Sequence, residues 1–108
     1  MRNLLAFDLG ASNGRAILGQ FDGEKITMRE LHRFENNYIE LNGVFYWDLP
    51  YLYDQLKKGF LAFRQADVGE LDCFGIDTWG VDYGLLDRND QLLSNPRSYR
   101  MSLDTDMD

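Results

Sequence analysis

The stretch NLLAFDLGASNGRAILGQF, residues 3–21, decides the fold. Residues 3–9 are almost continuously apolar, which is typical of a buried strand. Residues 10–14 are small and turn-forming, and residues 15–21 have the character of a second strand. The Asp-Gly pair that follows is a strong tight-turn signal, and a third strand is predicted over residues 26–34. Three strands joined by short turns predict an antiparallel meander.

An amphipathic helix is predicted over residues 49–66. Asp48 is a good N-cap, and Pro50 falls in the first turn, where its missing N–H is harmless. Gly59 lies inside this helix, where glycine costs about 1 kcal/mol relative to alanine, and nothing in the sequence accounts for it. Gly69 is expected to end the helix. The apolar stripe has the i, i+3, i+4, i+7 spacing of one helix face and consists of Leu49, Leu52, Tyr53, Leu56, Phe60 and Phe63.

The remaining segments complete a mixed order of strands and helix. Residues 35–43 are predicted to be a loop, and residues 44–47 a short aromatic strand. Further strands are expected over residues 71–78 and 81–87, with a turn at residues 88–91. The class is therefore α/β. Because no second helix follows to cover the far face of the sheet, we expect the chain to be a piece of a larger unit.

Charge and composition exclude several classes of partner. The chain has 108 residues, a net charge of −7 and no run of about 20 apolar residues, so no membrane span is predicted. An acidic chain does not offer the basic patch that nucleic acids or anionic membranes need. All the acidic excess lies in residues 66–108, so a polyanionic ligand that approaches that half would need a metal counter-ion. The single cysteine, Cys73, is expected to be buried, and a cytoplasmic location is the default.

A first candidate site follows the first strand. Asp8 stands at the strand end, before a turn of small residues whose backbone N–H groups can approach a phosphate closely. Ser12 and Asn13 add side-chain donors, and Arg15 adds a positive charge. Asp8 itself could hold Mg²⁺ through water, because Mg²⁺ prefers oxygen ligands and keeps several waters. The alternative is an ordinary hairpin turn in which Asp8 makes a turn hydrogen bond.

A second candidate site follows a later apolar strand. Asp77 and Asp82 flank Thr78, Trp79 and Gly80. Carboxylates accept hydrogen bonds from vicinal hydroxyls, and an indole face covers the C–H surface of a sugar, so the set suits a polyol. A glycosidase pair of carboxylates is a further possibility. The alternative is a turn at residues 77–78 with Trp79 in the core.

Two other features favour structural roles. The aromatic residues between 38 and 48 are expected to be core, although they could face a sugar. His32 is the only histidine and is expected to play a structural role rather than a catalytic one. Nothing resembles a zinc site or a Ser-His-Asp triad.

Taken together, the segments FDLGASNGR at residues 7–15 and GIDTWGVDYGLLD at residues 75–87 resemble the FGGY carbohydrate kinases, in their rhamnulokinase form. The resemblance covers most of residues 3–100. It implies the ribonuclease-H-like fold of the actin/hexokinase/Hsp70 ATPases and phosphorylation of L-rhamnulose at O1 by ATP with Mg²⁺. It also implies roles for individual residues: ATP-phosphate contacts at Ala11, Ser12, Asn13, Gly14 and Arg15, metal at Asp8, and sugar contacts at Gly80 with Asp77, Trp79 and Asp82.

The same resemblance limits what this chain can do alone. Members of the family run several times this length, with two domains around a cleft. Their catalytic aspartate and adenosine-binding segments lie in later motifs that residues 1–108 lack. The family usually has Asp where this chain has Met101. We therefore expect the N-terminal part of the first kinase domain, inactive by itself and prone to self-association. The alternatives are another sugar kinase of the family and a non-catalytic binding module.

Overall fold

A computed structural model describes residues 1–80 and 82–98 of the chain. The elements are β1 (Arg2–Leu9), β2 (Asn13–Phe21), β3 (Ile26–Glu35), β4 (Ile39–Leu41), β5 (Val44–Tyr46), α1 (Leu49–Ala66) and β6 (Cys73–Asp77). The predicted helix bounds are confirmed, and each of the first three predicted strands is confirmed to within two residues at its ends. Met101, where the family usually has Asp, lies outside the described residues.

The main sheet has four strands in the order β3-β2-β1-β6. β1, β2 and β3 pair antiparallel, which confirms the predicted meander. β6 lies parallel to β1 on the other side, and its register pairs Leu5 with Phe74 and Asp8 with Asp77. The polypeptide between β3 and β6, including α1, therefore carries the chain back across one face of the sheet.

The helix begins as predicted and ends differently. The Asp48 carboxylate accepts a hydrogen bond from the Tyr51 N–H at 3.2 Å, and Pro50 lies in the first turn. The helix is ended by Asp67, which adopts the left-handed conformation (φ 53°) and donates its N–H to the Arg64 carbonyl. The prediction that Gly69 ends the helix is therefore wrong. Aspartate tolerates this conformation better than most side chains do, so no glycine is needed there.

The core lies between α1 and one face of the sheet. Leu5 and Phe7 of β1 pack with Ala16 and Leu18 of β2 against Phe63 of the helix. The structure also explains the glycine within the helix: a Cβ at Gly59 would lie 2.4 Å from Cε1 of Phe7 and 3.1 Å from Cβ of Ala16. The helix backbone approaches the sheet too closely there for any side chain. No helix in the described part of the chain is long and apolar enough to cross a membrane.

A small hairpin occupies part of the predicted loop at residues 35–43. β4 pairs antiparallel with β5, with Ile39 opposite Tyr46. Asn42 (φ 52°) and Gly43 (φ 79°) form the turn between them. The Asn-Gly pair is a strong hairpin signal, because both residues accept positive φ. The loop prediction is therefore wrong for residues 39–41.

The strand predicted over residues 81–87 is wrong for residues 82–87, and Val81 lies outside the described residues. Only an isolated bridge between Leu86 and Leu92 occurs there. The Asp87 carboxylate accepts the N–H groups of Asn89 and Gln91, which folds the chain back at once and confirms the turn. Because the chain turns back so soon, too few backbone hydrogen bonds join its two arms for a regular strand pair to form.

Cys73 is exposed, so its predicted burial is wrong. β6 is an edge strand of the described sheet, and all five of its residues are exposed. The Phe74 ring packs against the Phe60 ring of α1, with the ring centroids 5.1 Å apart, yet Phe74 remains 55% exposed. Side chains alternate along a strand, so Cys73 points to the face that α1 does not cover.

Candidate functional site

Asp8, the predicted metal residue, lies near the end of β1 on the sheet face opposite α1, and the predicted phosphate residues occupy the turn after β1 and the start of β2. Asp8 is the parallel partner of Asp77 and the antiparallel partner of Arg15. Arg15 in turn lies opposite Arg33 of β3. Residues in register share a face, so these four side chains form a line across the sheet, which we call the charged row. The order across the sheet is Asp77, Asp8, Arg15 and Arg33, so two negative charges are followed by two positive charges.

Two contacts hold the charged row. Nη2 of Arg15 donates to Oδ2 of Asp8 at 2.9 Å, and the two side chains are 37% and 43% exposed. Arg33 donates from Nε and Nη2 to Oε1 of Glu30, at 3.1 and 2.8 Å. This hydrogen bond from the guanidinium lowers the pKa of Glu30. The outer arginine is therefore held by a partner of its own.

The turn after β1 is anchored through its carbonyl groups. The Asn13 carbonyl accepts the Gly10 N–H at 2.8 Å. Asn36, which is buried, donates its side-chain amide to the Gly10 carbonyl at 2.8 Å and its N–H to the Ser12 carbonyl at 3.1 Å. Within residues 1–80 and 82–98, the N–H groups of Ala11 and Ser12 donate to no other group. Two amides of the predicted phosphate turn are thus available to a ligand.

The remaining residues of this turn differ in exposure. Ser12 and Asn13 are exposed, whereas Gly14 is buried. A Cβ at Gly14 would lie 2.1 Å from the Phe34 ring, so a glycine is required for β2 and β3 to pack. Gly14 is therefore needed for packing between strands, whereas the exposed Ser12 and Asn13 side chains can reach a ligand.

The predicted sugar residues divide between the two faces of the sheet. Asp77 lies in the charged row, while Trp79 and Asp82 line a cavity of about 560 Å³ on the helix side, beside the first turns of α1. Leu9 also lines this cavity, so both features meet at the end of β1. Gly80 is exposed, and nothing lies within 4 Å of the place a Cβ would occupy.

Trp47 organises the cavity, whereas the sequence indicated it only as one of the aromatic residues between 38 and 48. Its ring stacks on Trp79 with the centroids 3.9 Å apart, and its Nε1 donates to Oδ2 of Asp82. It also packs against Tyr38 and is 1% exposed. The expectation that this aromatic segment is core is confirmed for Trp47. Its hydrogen bond to Asp82 joins residues far apart in the chain, and no local pattern signals it. The hydrogen bonds of Asn36 to the turn after β1 also join residues far apart in the chain, and no local pattern signals them.

The chemistry of Asp8 and Asp77 fits Mg²⁺. This ion is bound in proteins through one or two carboxylates, keeps several waters and takes further ligands from substrate phosphates. Two neighbouring carboxylates beside a turn with available amides provide that set. Among the described residues, no group of three or more potential ligands lies close enough to hold a metal without such help.

His32 lies away from these features. Its Nε2 is 2.7 Å from Oε1 of Gln55, and its ring stacks on Phe34. The histidine thus joins β3 to α1, in agreement with the predicted structural role.

Comparison with known proteins identifies relatives that are much longer than this chain. The rhamnulokinase of Halalkalibacterium halodurans is 46% identical over 100 residues, which cover 93% of this chain and 21% of that protein. The rhamnulokinase of Bacteroides thetaiotaomicron is 43% identical over 101 residues, covering 92% and 20%. The chain therefore spans about a fifth of the length of the curated relatives it matches. No protein-family model matches it.

Solved structures agree on the fold. The xylulose kinase of Lactobacillus acidophilus superposes with a TM-score of 0.78 at 14% identity, over 99% of this chain and 21% of that one. The gluconate kinase of the same organism gives a TM-score of 0.77 at 14% identity, over 98% and 21%. The mixed sheet and its helix are thus a portion of the actin-like ATPase fold of these kinases. By sequence, the chain is similar to about a fifth of the length of these rhamnulokinases, and by fold it is similar to the matching portion of two other sugar kinases.

Proposed function

We propose that the chain supplies the phosphate-binding turn and one wall of the sugar site of a rhamnulokinase-type enzyme. The whole enzyme transfers the γ-phosphoryl group of ATP to O1 of L-rhamnulose and uses Mg²⁺. The observation that carries this proposal is the turn after β1: Asn36 donates to the carbonyls of Gly10 and Ser12, and the Asn13 carbonyl accepts the Gly10 N–H, while the amides of Ala11 and Ser12 are left for a ligand. The 46% identity to a rhamnulokinase supports the same conclusion.

Phosphoryl transfer is catalysed largely by positioning and charge neutralisation. The amides of Ala11 and Ser12 would bind phosphate oxygens, with the side chains of Ser12 and Asn13 as further donors. Asp8 would hold Mg²⁺ through water, and the metal would offset the repulsion between an acidic chain and a triphosphate. Arg15 provides a positive charge at the edge of the same turn.

The sugar would lie at the other end of the site. Trp79 offers a ring face to C–H groups, since its opposite face is stacked on Trp47. Asp82 would accept hydroxyl hydrogen bonds, and Gly80 allows a ligand to lie against the backbone. Asp77 stands beside Asp8, so it would face the end of the sugar nearest the phosphate.

This chain alone is expected to be inactive. The general base and the adenosine-binding segments would come from the remaining four fifths of the enzyme. We place the parent protein in the cytoplasm. The isolated chain is also expected to self-associate, because Phe74 and Ile76 are about half exposed. Light scattering that showed only monomer at high concentration would contradict this last expectation.

A chimera tests the proposed function. The chain replaces the segment it matches in the Halalkalibacterium halodurans rhamnulokinase, and ATP-dependent phosphorylation of L-rhamnulose is measured for the chimera and for the chain alone. We expect turnover from the chimera, loss of at least 100-fold in its Asp8→Asn variant, and none from the chain alone. A folded chimera without turnover would contradict the proposal, and turnover by the chain alone would contradict its predicted inactivity.

A panel of sugars tests the alternative that the parent phosphorylates another substrate. The folds of a xylulose kinase and a gluconate kinase are similar to this one, so those two sugars belong in the panel. We expect L-rhamnulose to give the highest kcat/KM with the chimera. A higher value for another sugar would assign the chain to a different kinase of the family.

A further inference from the structure

We infer that Arg15 is a positioning residue that competes with the divalent cation for Asp8, and that cation binding turns its guanidinium toward the nucleotide phosphates. The inference rests on the proposed function, because it takes Asp8 as the metal residue. It differs from a fixed phosphate contact, since it gives Arg15 two partners that it holds in turn.

The ion pair provides the first step of the argument. Among the residues that the structure describes, Nη2 of Arg15 has one polar contact, with Oδ2 of Asp8 at 2.9 Å, and both side chains are partly exposed. A single contact at this exposure is weak, so a divalent cation can displace it. A cation on the same carboxylate would lie next to the guanidinium, and the two positive charges repel each other.

The neighbours in the charged row decide where Arg15 goes. Asp77 lies on the far side of Asp8, and Arg33 lies on the far side of Arg15. Arg33 repels the guanidinium of Arg15, and Glu30 on that side is already paired with Arg33. Once the cation occupies Asp8, the phosphate bound at the turn carries more negative charge than Glu30, whose carboxylate already accepts two hydrogen bonds from Arg33. The phosphate is then the stronger partner for Arg15.

This exchange has two consequences of opposite sign. Without nucleotide, Arg15 weakens cation binding because it must first be displaced. With nucleotide, the released guanidinium strengthens binding of the metal–nucleotide complex. An arginine that only bound phosphate would not affect the bare cation specifically through Asp8, and an arginine that only stabilised the fold would affect neither.

The test measures Mn²⁺ binding to the 108-residue chain by water-proton relaxation, and Mg·ATP binding by calorimetry to the chimera, which supplies the adenosine-binding segments. For Arg15→Gln we expect a two- to five-fold gain in Mn²⁺ affinity, the size of an exposed ion pair, and a loss of at least three-fold in Mg·ATP affinity. Arg33→Gln is the matched control, because it removes a positive charge from the same row but leaves the Asp8 contact intact. It should change Mn²⁺ affinity by less than 1.5-fold, and Asp8→Asn should abolish specific Mn²⁺ binding.

Four results would overturn the inference: unchanged or lower Mn²⁺ affinity in Arg15→Gln, an equal gain in Arg33→Gln, Mn²⁺ binding that Asp8→Asn does not affect, or Mg·ATP affinity that Arg15→Gln leaves unchanged. Circular dichroism of each variant verifies that it is folded. The chimera assay described above separates this result from the proposed function. An inactive chimera with the expected Mn²⁺ pattern would refute the kinase proposal alone, and an active chimera without that pattern would refute the exchange alone.

Discussion

Replacing Gly59 with alanine sets two effects of opposite sign against each other. Helix propensity predicts that alanine stabilises the middle of a helix by about 1 kcal/mol relative to glycine. The packing predicts the reverse, because the new Cβ would lie 2.4 Å from Cε1 and 2.9 Å from Cζ of Phe7. Carbon atoms in contact are normally about 3.5–4.0 Å apart. The methyl group would therefore overlap the ring by more than 1 Å.

The steric effect should dominate. Phe7 is 1% exposed and is packed against Phe60, so its ring cannot move aside without disturbing the core. Overpacking of a core by one or two carbons costs about 1–3 kcal/mol, and the upper part of that range applies where the ring is enclosed. After the gain in propensity, we expect Gly59→Ala to lower the free energy of unfolding by about 1–2 kcal/mol. For a chain of this size that corresponds to a melting temperature about 4–16 °C lower.

Urea unfolding followed by circular dichroism measures this change. The exposed Lys57 provides the control, because comparing Lys57→Ala with Lys57→Gly isolates propensity, and there alanine should be the more stable by up to about 1 kcal/mol. Adding Phe7→Leu to Gly59→Ala should recover part of the loss, with a coupling of about 1 kcal/mol. If Gly59→Ala is as stable as the natural chain or more stable, the close approach of helix and sheet is refuted.

Three further predictions concern single contacts. Asn36→Ala removes the donor to the Gly10 carbonyl and should lower the free energy of unfolding by about 1–3 kcal/mol, with faster hydrogen exchange at the Gly10 amide; unchanged exchange would argue against the anchored turn. Trp47→Phe keeps a ring but removes the N–H donor to Asp82 and should cost about 1–2 kcal/mol, whereas unchanged urea unfolding would count against this contact. The N–H groups of the two residues that follow Gly23 lower the pKa of Asp22 below 3.8, so its stabilising effect is present above that pH and is lost as the pH falls through the lower folded value. NMR titration should therefore find the pKa of Asp22 below 3.8. In Asp22→Asn, the free energy of unfolding should fall less steeply as the pH is lowered. A pKa of Asp22 at or above 3.8 would contradict this prediction.

The sequence alone was sufficient for features that depend on neighbouring residues. The meander, the bounds of α1 and the Asp48 cap follow from residue period, turn chemistry and capping, all of which act within a few positions. The turn after β1 could also be recognised, since its small residues follow a buried strand. Local signals were present but misjudged at Asn42 and at Asp67, where a hairpin turn and a helix end both rely on positive φ.

Only the tertiary structure decided which distant groups meet. The parallel pairing of β1 with β6 brings Asp77 beside Asp8, and the packing of α1 on the sheet requires Gly59. The same nonlocal packing leaves Cys73 exposed and gives Trp47 its contact with the cavity. Contacts between residues far apart depend on how whole elements pack. Local propensities set the elements themselves but not the distances between them.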